Sequence, residues 1–166
     1  ALENISFEVK AGETVGLIGG TGSGKSTLIN LIPRFYDRDS GCVQVDGVPV
    51  ERYPFWQLRS KIGMVPQHAV LFKGTVRENM QWGKSDATDE EIWAALRIAQ
   101  ADEFVKEKKG GLDSLISQGG TNLSGGQRQR LTIARALVGS PEMLIMDDSA
   151  SALDFATDAA LRHAIR

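Results

Sequence analysis

The sequence has little of what marks a secreted, membrane-spanning or nucleic-acid-binding chain. Its 166 residues hold one cysteine, Cys42. A single thiol excludes an internal disulfide framework and fits a reducing compartment. No apolar run approaches the ~18 residues a membrane span needs. Charge of one sign is also missing. Lys plus Arg is 19 against 21 for Asp plus Glu, a net charge of -2, so there is no electrostatic case for nucleic acid as a partner. The start, Ala1-Leu2-Glu3-Asn4, has no initiator Met, basic n-region or apolar h-region, and no signal peptide is read there. The other end stops at Arg166 inside a helical pattern, with no Gly or Pro to terminate it. Both ends read as cut, and the chain as a piece of something longer. What remains is ordinary for a folded domain, with 42% hydrophobic and 24% charged residues. A chain of this size buries about two-thirds of its unfolded surface, enough for one domain, or one core with a small subdomain.

Periodicity then orders the chain. Ile5, Phe7 and Val9 alternate with polar residues and predict a half-buried strand. Thr14-Val15-Gly16-Leu17-Ile18 predicts a buried strand that runs into a glycine-rich loop. A helix is expected from Lys25 to about Leu31, because Pro33 disfavours helix before it. Cys42 to Val45 reads as a strand ending in an Asp46-Gly47 turn, and Ile62 to Val65 as a buried strand. Thr88 to Glu91 is a capping box for a helix with Ile92, Leu96 and Ala99 on one face. Ser124 to Gln127 is a second box, opening a helix with Leu131, Ala134 and Leu137 on one side and stopped by Gly139 and Pro141. Met143 to Met146 is a fully apolar strand ending at Asp147-Asp148.

Two places carry chemistry. Gly19-Gly20-Thr21-Gly22-Ser23-Gly24-Lys25-Ser26 matches G-x-x-x-x-G-K-[ST] at every fixed position, between an expected strand and an expected helix. Glycines let successive backbone N–H groups turn inward as an anion-binding nest. Lys25 reaches β- and γ-phosphates, and the Ser26 hydroxyl suits Mg2+. Asp147 ends an apolar strand, where ligands of open α/β sheets sit, and can hold the Mg2+ shell. The alternative for Asp147 is a helix cap. Gln67 follows the strand at Ile62 and could reach the metal or an attacking water.

With Leu123-Ser124-Gly125-Gly126-Gln127 between these two, the chain resembles the nucleotide-binding domains of ATP-binding cassette (ABC) transporters. That segment matches the family's signature motif without change. Val65-Pro66-Gln67 looks like its Q-loop, Ser151-Ala152-Leu153-Asp154 like its D-loop, and Leu71 to Asn79 like the stretch after the Q-loop in the exporter branch. The resemblance implies an α/β fold of the P-loop NTPase type. It would have a RecA-like core, a small N-terminal antiparallel β portion and an inserted α-helical subdomain, truncated at both ends. Residues 1–72 would hold the β portion, P-loop and Q-loop. Residues 73–138 would form the helical subdomain, and 139–166 the Asp-ended strand, D-loop and following helix. ATP would be bound by Gly19, Gly20, Thr21, Gly22, Ser23, Gly24, Lys25, Ser26 and Thr27. Ser26, Gln67 and Asp147 would hold Mg2+, and Lys25, Gln67 and Asp148 would serve catalysis. Ser124, Gly125, Gly126 and Gln127 would meet ATP bound by a second such domain in a head-to-tail dimer, with Ser151 and Asp154 at the interface. The remaining implied partners are the coupling helices of a transmembrane domain, with no nucleic acid. The place would be the cytoplasmic face of the cell membrane, as part of a transporter.

The sequence departs from the family in two places. Asp148 stands where hydrolytic members carry the Glu that orients water. The shorter side chain implies a slow site, as in one half of a heterodimeric exporter; a tolerated Asp in a homodimer is the alternative. Gln118-Gly119 replaces the Glu-Arg pair usual in exporters before the signature. The adenine-stacking aromatic and the switch histidine are expected outside 1–166, so the isolated fragment is expected to be nearly inactive. Tyr36, Tyr53, His68 and His163 read as structural or surface residues. Arg128, Arg130 and Arg135 read as local salt-bridge and phosphate-field residues, Lys106 to Lys109 as a solvated run, and Trp56, Trp82 and Trp93 as packing residues. Phe72 and Trp82 also flank the expected transporter interface.

Overall fold

The computed structural model describes residues 2–148 and 153–165. They form two compact units, 1–59 and 60–166.

In the first unit, α1 runs Lys25–Leu31, as the sequence predicts. Its end is set by more than Pro33. Arg34 turns left-handed, with φ 53, so that Arg34 N–H reaches the Leu31 carbonyl and Phe35 N–H the Asn30 carbonyl. This is the paired-bond ending usually built on glycine. Arg59, in α2 (Phe55–Ser60), braces the same corner by donating to the carbonyls of Pro33 and Arg34 at 3.1 and 3.0 Å and by lying over the Phe35 and Phe55 rings. Strands β1 (Gln44–Val45) and β2 (Val48–Pro49) form an antiparallel hairpin. Asp46 and Gly47 both take positive φ, 52 and 72, as a two-residue turn between twisted strands requires. Tyr53 fastens it by donating to the Val45 carbonyl at 3.0 Å, the structural use the sequence implied. The strands expected over 5–9 and 14–18 are not formed among the described residues. Val15 is 49% and Ile18 99% exposed. Alternation supplies the apolar face of a strand but not its hydrogen-bonded neighbour, and a strand lasts only as half of a ladder.

The second unit is built on a parallel pair, β3 (Ile62–Val65) and β6 (Met143–Met146), in register from Ile62↔Met143 to Val65↔Met146. Between them lie β4 (Gly74–Thr75), α3 (Val76–Gln81), α4 (Asp89–Ile98), α5 (Asp102–Glu107), β5 (Leu115–Ile116) and α6 (Gly125–Leu137); α7 (Phe155–Ile165) follows. Parallel strands need such a crossover. Helix α6 lies close enough to β3 that a Cβ on Gly63 would meet the Ala136 carbonyl oxygen at 2.6 Å. The core gathers Met80 of α3, Ile92 and Leu96 of α4, Val105 of α5, and Leu131 and Ala134 of α6, all fully buried. Both capping boxes read from the sequence are formed, at Thr88 and Ser124. A third, Thr75 with Glu78, opens α3; the same Thr-x-x-Glu spacing marked it. Trp93 packs against the core, as expected, whereas Trp56 and Trp82 are 75% and 71% exposed. Those two are surface aromatics rather than packing residues. The two histidines and Tyr36 are exposed, as the sequence implied.

Two side chains tie loops to this helical layer. Asn79, 1% exposed, accepts from Phe72 N–H and donates to the carbonyls of Phe72 and Thr75, each at 2.9 Å. Arg77 pairs with Asp113 at 3.0 Å and with Asp89 at the start of α4. Asn79→Ala removes three buried bonds and strands the Phe72 backbone groups. It is expected to cost about 2–3 kcal/mol of unfolding free energy in a urea titration. The Arg77 guanidinium holds Asp113 below its ordinary pKa of 3.8. That stabilisation is therefore present above pH about 4 and lost as pH falls through the depressed value. Asp113→Asn is expected to flatten this acid limb while leaving the pH dependence above about 5 unchanged, read as unfolding midpoint against pH.

Candidate nucleotide site

The glycine-rich loop lies in the first unit. Gly22 and Gly24 take φ 79 and 89, and the loop is tightened by Ser23 N–H donating to the Gly20 carbonyl at 3.2 Å. Lys25 folds back over it. Its ammonium donates to the carbonyls of Gly19 and Gly20 at 2.6 and 2.9 Å and to Ser23 Oγ at 3.4 Å. The glycines are not interchangeable with alanine. A Cβ on Gly19 would meet Ser23 Oγ at 2.7 Å, and one on Gly24 would meet Leu2 Cδ2 at 2.7 Å. Gly24 leads α1 with no side-chain cap, so the first-turn N–H groups, those of Ser26 and Thr27 among them, keep their donors for an outside acceptor. This donor set, amides and one ammonium with no carboxylate, fits a phosphate. Phosphate oxygens accept more strongly than the carbonyls that hold Lys25 here.

The acidic candidates, Asp147 and Asp148, lie in the second unit. Asp147 N–H extends the ladder by donating to the Val65 carbonyl at 2.9 Å, which fixes Asp147 at the carboxyl end of β6. Asp148 follows at φ 46, a left-handed conformation that aspartate tolerates better than most residues. The structure brings Gln67 and Asp148 together: Gln67 Nε2 donates to Asp148 Oδ2 at 3.3 Å. Among the described residues no group of three or more His, Cys, Asp or Glu side chains gathers as a metal cage. The oxygen donors of Ser26, Gln67 and Asp147 are of the kind Mg2+ takes, with water and substrate phosphates completing its shell. Of the three protein ligands expected, Ser26 lies in the first unit and Gln67 and Asp147 lie in the second.

The Ser124 segment begins α6. Ser124 Oγ accepts from Gln127 N–H at 3.2 Å, and Gln127 Oε1 accepts from Ser124 N–H at 3.1 Å. The Gln127 carboxamide oxygen is thus engaged by its own helix. Arg128 reaches back to the Leu123 and Gly120 carbonyls at 2.7 and 3.4 Å, and Asn122 clasps Ser117 N–H and the Leu115 carbonyl. Gly119 stands at φ 67 in open space, a conformation glycine takes without strain, where the arginine usual at this place would be strained. Arg130 donates to the Gln100 carbonyl at 2.6 Å and lies over Phe104, and Arg135 lies over Phe72. The salt-bridge reading of these three arginines is therefore corrected: among the described residues they meet carbonyls and rings, not carboxylates. Of the Lys106 to Lys109 run, Lys106 pairs with Asp102 at 2.7 Å. Asp154 accepts from Thr157 N–H and Oγ1 at 2.9 and 2.7 Å. These two bonds cap α7 and hold the Asp154 carboxyl below its ordinary range. Ser151 lies outside the described residues. What sequence reasoning missed is the position of Arg135 beneath Phe72; an arginine in a surface-like helix pattern gives no sign of burial.

Known proteins resemble this chain along nearly its whole length. The family model described as ABC transporter matches residues 2–151. An uncharacterized ABC transporter ATP-binding protein (YfiB) of Bacillus subtilis is 50% identical over 165 residues, covering 99% of this chain and 29% of its own length. A probable multidrug resistance ABC transporter ATP-binding/permease protein (YheI) of the same organism is 46% identical, covering 99% and 28%. An ATP-dependent lipid A-core flippase of Chromobacterium violaceum is 49% identical over 154 residues, covering 93% and 26%. The chain thus spans less than a third of the length of these relatives. Among solved structures, a bacterial Atm1-family ABC exporter with ATP bound superposes with a TM-score of 0.84 at 36% identity, over 89% of this chain and 26% of that one. The cap on α6 gives a test that needs no nucleotide. Ser124→Ala is expected to lower stability by about 1 kcal/mol and Ser124→Thr to retain most of it, measured by chemical denaturation.

Proposed function

Because the chain belongs to the ABC transporter family, and has the ATP-binding domain fold of its exporters, we propose that it binds MgATP and hydrolyses it to power export. The Lys25 ammonium, folded over the Gly19 and Gly20 carbonyls, carries this reading. In this reading phosphate oxygens would replace those carbonyls as its acceptors. In this proposal Lys25 moves onto the β- and γ-phosphates, and the amides of Gly20 to Thr27 line the rest. Ser26, Gln67 and Asp147 would hold Mg2+, which neutralises phosphate charge when bound. Gln67 orients the attacking water, and the Asp148 carboxylate takes its proton. Hydrolysis then rests on positioning and charge stabilisation.

Two chains would pair head-to-tail, so that the amino end of one α6, with Ser124, Gly125 and Gly126, faces the phosphate held by the other. A positive helix end opposite an anion is favourable. Gln127 would join Ser124, Gly125 and Gly126 there, its Oε1 held in the box. Ser151 and Asp154 would lie at this interface. The division into 1–72, 73–138 and 139–166 belongs to the same proposal. So does docking of the 72–82 stretch on a transmembrane domain, which places the chain on the cytoplasmic face of a membrane. No helix among the described residues is long and apolar enough to cross one. Nucleic acid has no part in this reading.

Asp148 sets the rate. Its carboxylate sits one carbon–carbon bond, about 1.5 Å, short of a glutamate's, and misplacement by about 1 Å costs roughly a hundredfold. Its bond to Gln67 favours a second reading, in which this chain is the non-hydrolysing half of a heterodimer that closes around nucleotide. Steady-state MgATP hydrolysis by the full-length protein without another subunit tests this. Asp148→Glu is expected to raise a near-zero rate about a hundredfold. A wild-type rate of about 1–10 per second would overturn the slow-site reading and favour a homodimer.

A further inference from the structure

The bond from Gln67 to Asp148 fixes which way round a carboxamide stands. Gln67 Nε2 donates to Asp148 Oδ2 at 3.3 Å, and both residues are exposed. A carboxamide has two ends of nearly equal size, an NH2 group that only donates and an oxygen that only accepts. Turning it over exchanges the two at little steric cost. An ionised carboxylate only accepts, so Asp148 receives the nitrogen end and Oε1 takes the other branch. Oε1 is also the only atom of this side chain that suits a hard cation, since Mg2+ takes oxygen ligands. The backbone on both sides keeps the pair in place. Val65 and Met146 close the β3–β6 ladder, and Asp147 N–H adds a further bond to the Val65 carbonyl at 2.9 Å. Gln67 and Asp148 each follow within two residues of that last rung. Asp148 leaves it at φ 46.

We propose that Asp148 is a positioning residue for Gln67: by holding Nε2, its carboxylate presents Oε1 to a divalent cation. The proposal rests on the reading of Gln67 as a Mg2+ ligand and adds what sets its orientation. Metal ligands are commonly aimed by an outer hydrogen-bond partner of this kind. The bond also separates two demands on residue 148. A base for water must be a carboxylate, whereas an acceptor for Nε2 can equally be an amide oxygen. Asp148 thereby keeps a task in a site that hydrolyses slowly, because aiming Gln67 needs no proton transfer.

The test reads metal affinity rather than turnover. The full-length protein is loaded with a non-hydrolysable ATP analogue, and Mn2+ in place of Mg2+ is titrated while the electron paramagnetic resonance signal of free Mn2+ is followed. Asp148→Gly removes the acceptor at a φ that glycine takes without strain, and is expected to weaken Mn2+ binding about tenfold. Asp148→Asn keeps an acceptor oxygen and is expected to retain most of the affinity. In Gln67→Ala, itself weaker, adding Asp148→Gly is expected to change nothing further, as coupling through one side chain requires. An Asp148→Gly variant that binds Mn2+ as tightly as wild type overturns the proposal. So does an equal loss with and without Gln67, or an Asp148→Asn that falls as far as Asp148→Gly, since charge would then act on the cation directly. These outcomes leave Gln67 standing as a ligand. Unchanged Mn2+ affinity in Gln67→Ala overturns that reading and the positioning role together.

Discussion

Four residues of parallel ladder hold the second unit together. Ile62–Val65 against Met143–Met146 joins segments about eighty positions apart, and the intervening chain must return to the same edge for it to close. The ladder does more than pair two strands. Its carboxyl end delivers Gln67 from one strand and Asp147-Asp148 from the other to one place, and the bond from Gln67 to Asp148 follows from that register. A slip of one residue would turn Asp147 to the opposite face. Salt bridging of Lys61 to Glu142 at 2.7 Å pins the other end, on the surface, where its contribution is small.

Much of this was legible in the sequence, and the reasons differ by element. Helices α1, α4 and α6 were readable because their start signals are local: a glycine-lysine turn, or a hydroxyl followed three residues later by Glu or Gln. The Asp46-Gly47 turn was readable because few residues take positive φ twice in succession. The strands over 5–9 and 14–18 read falsely as formed, since alternation reports a face and is silent about a neighbour. The candidate site was legible as three separate motifs whose residue types are each tied to phosphate or metal chemistry. What the spacing could not give was how their side chains are spent on the protein itself: Gln127 and Asp154 on helix caps, Gln67 on Asp148, Lys25 on its own loop. Those are tertiary outcomes of competing hydrogen bonds, and each leaves the same sequence pattern.

The same economy explains the arginines. On α6, Arg128, Arg130 and Arg135 reach carbonyls and aromatic faces, which planar guanidinium suits better than an ammonium would. Arg77, by contrast, takes two carboxylates at once and so ties α3 to the start of α4 and to the turn before β5. A lysine at any of these positions would keep the charge and lose the geometry.

Gly63 has a mechanical consequence. The close approach of Gly63 to the Ala136 carbonyl would make the far end of α6 a fulcrum against β3, with Ser124 at the opposite end. At 1.5 Å per residue, the arm from Gly125 to Ala136 is about 17 Å long. A tilt of about 10° at the fulcrum would therefore swing the Ser124 end by about 3 Å. That is the reach of one hydrogen bond, so the helix tip could engage or release an anion by pivoting while the close-packed pivot itself scarcely shifts.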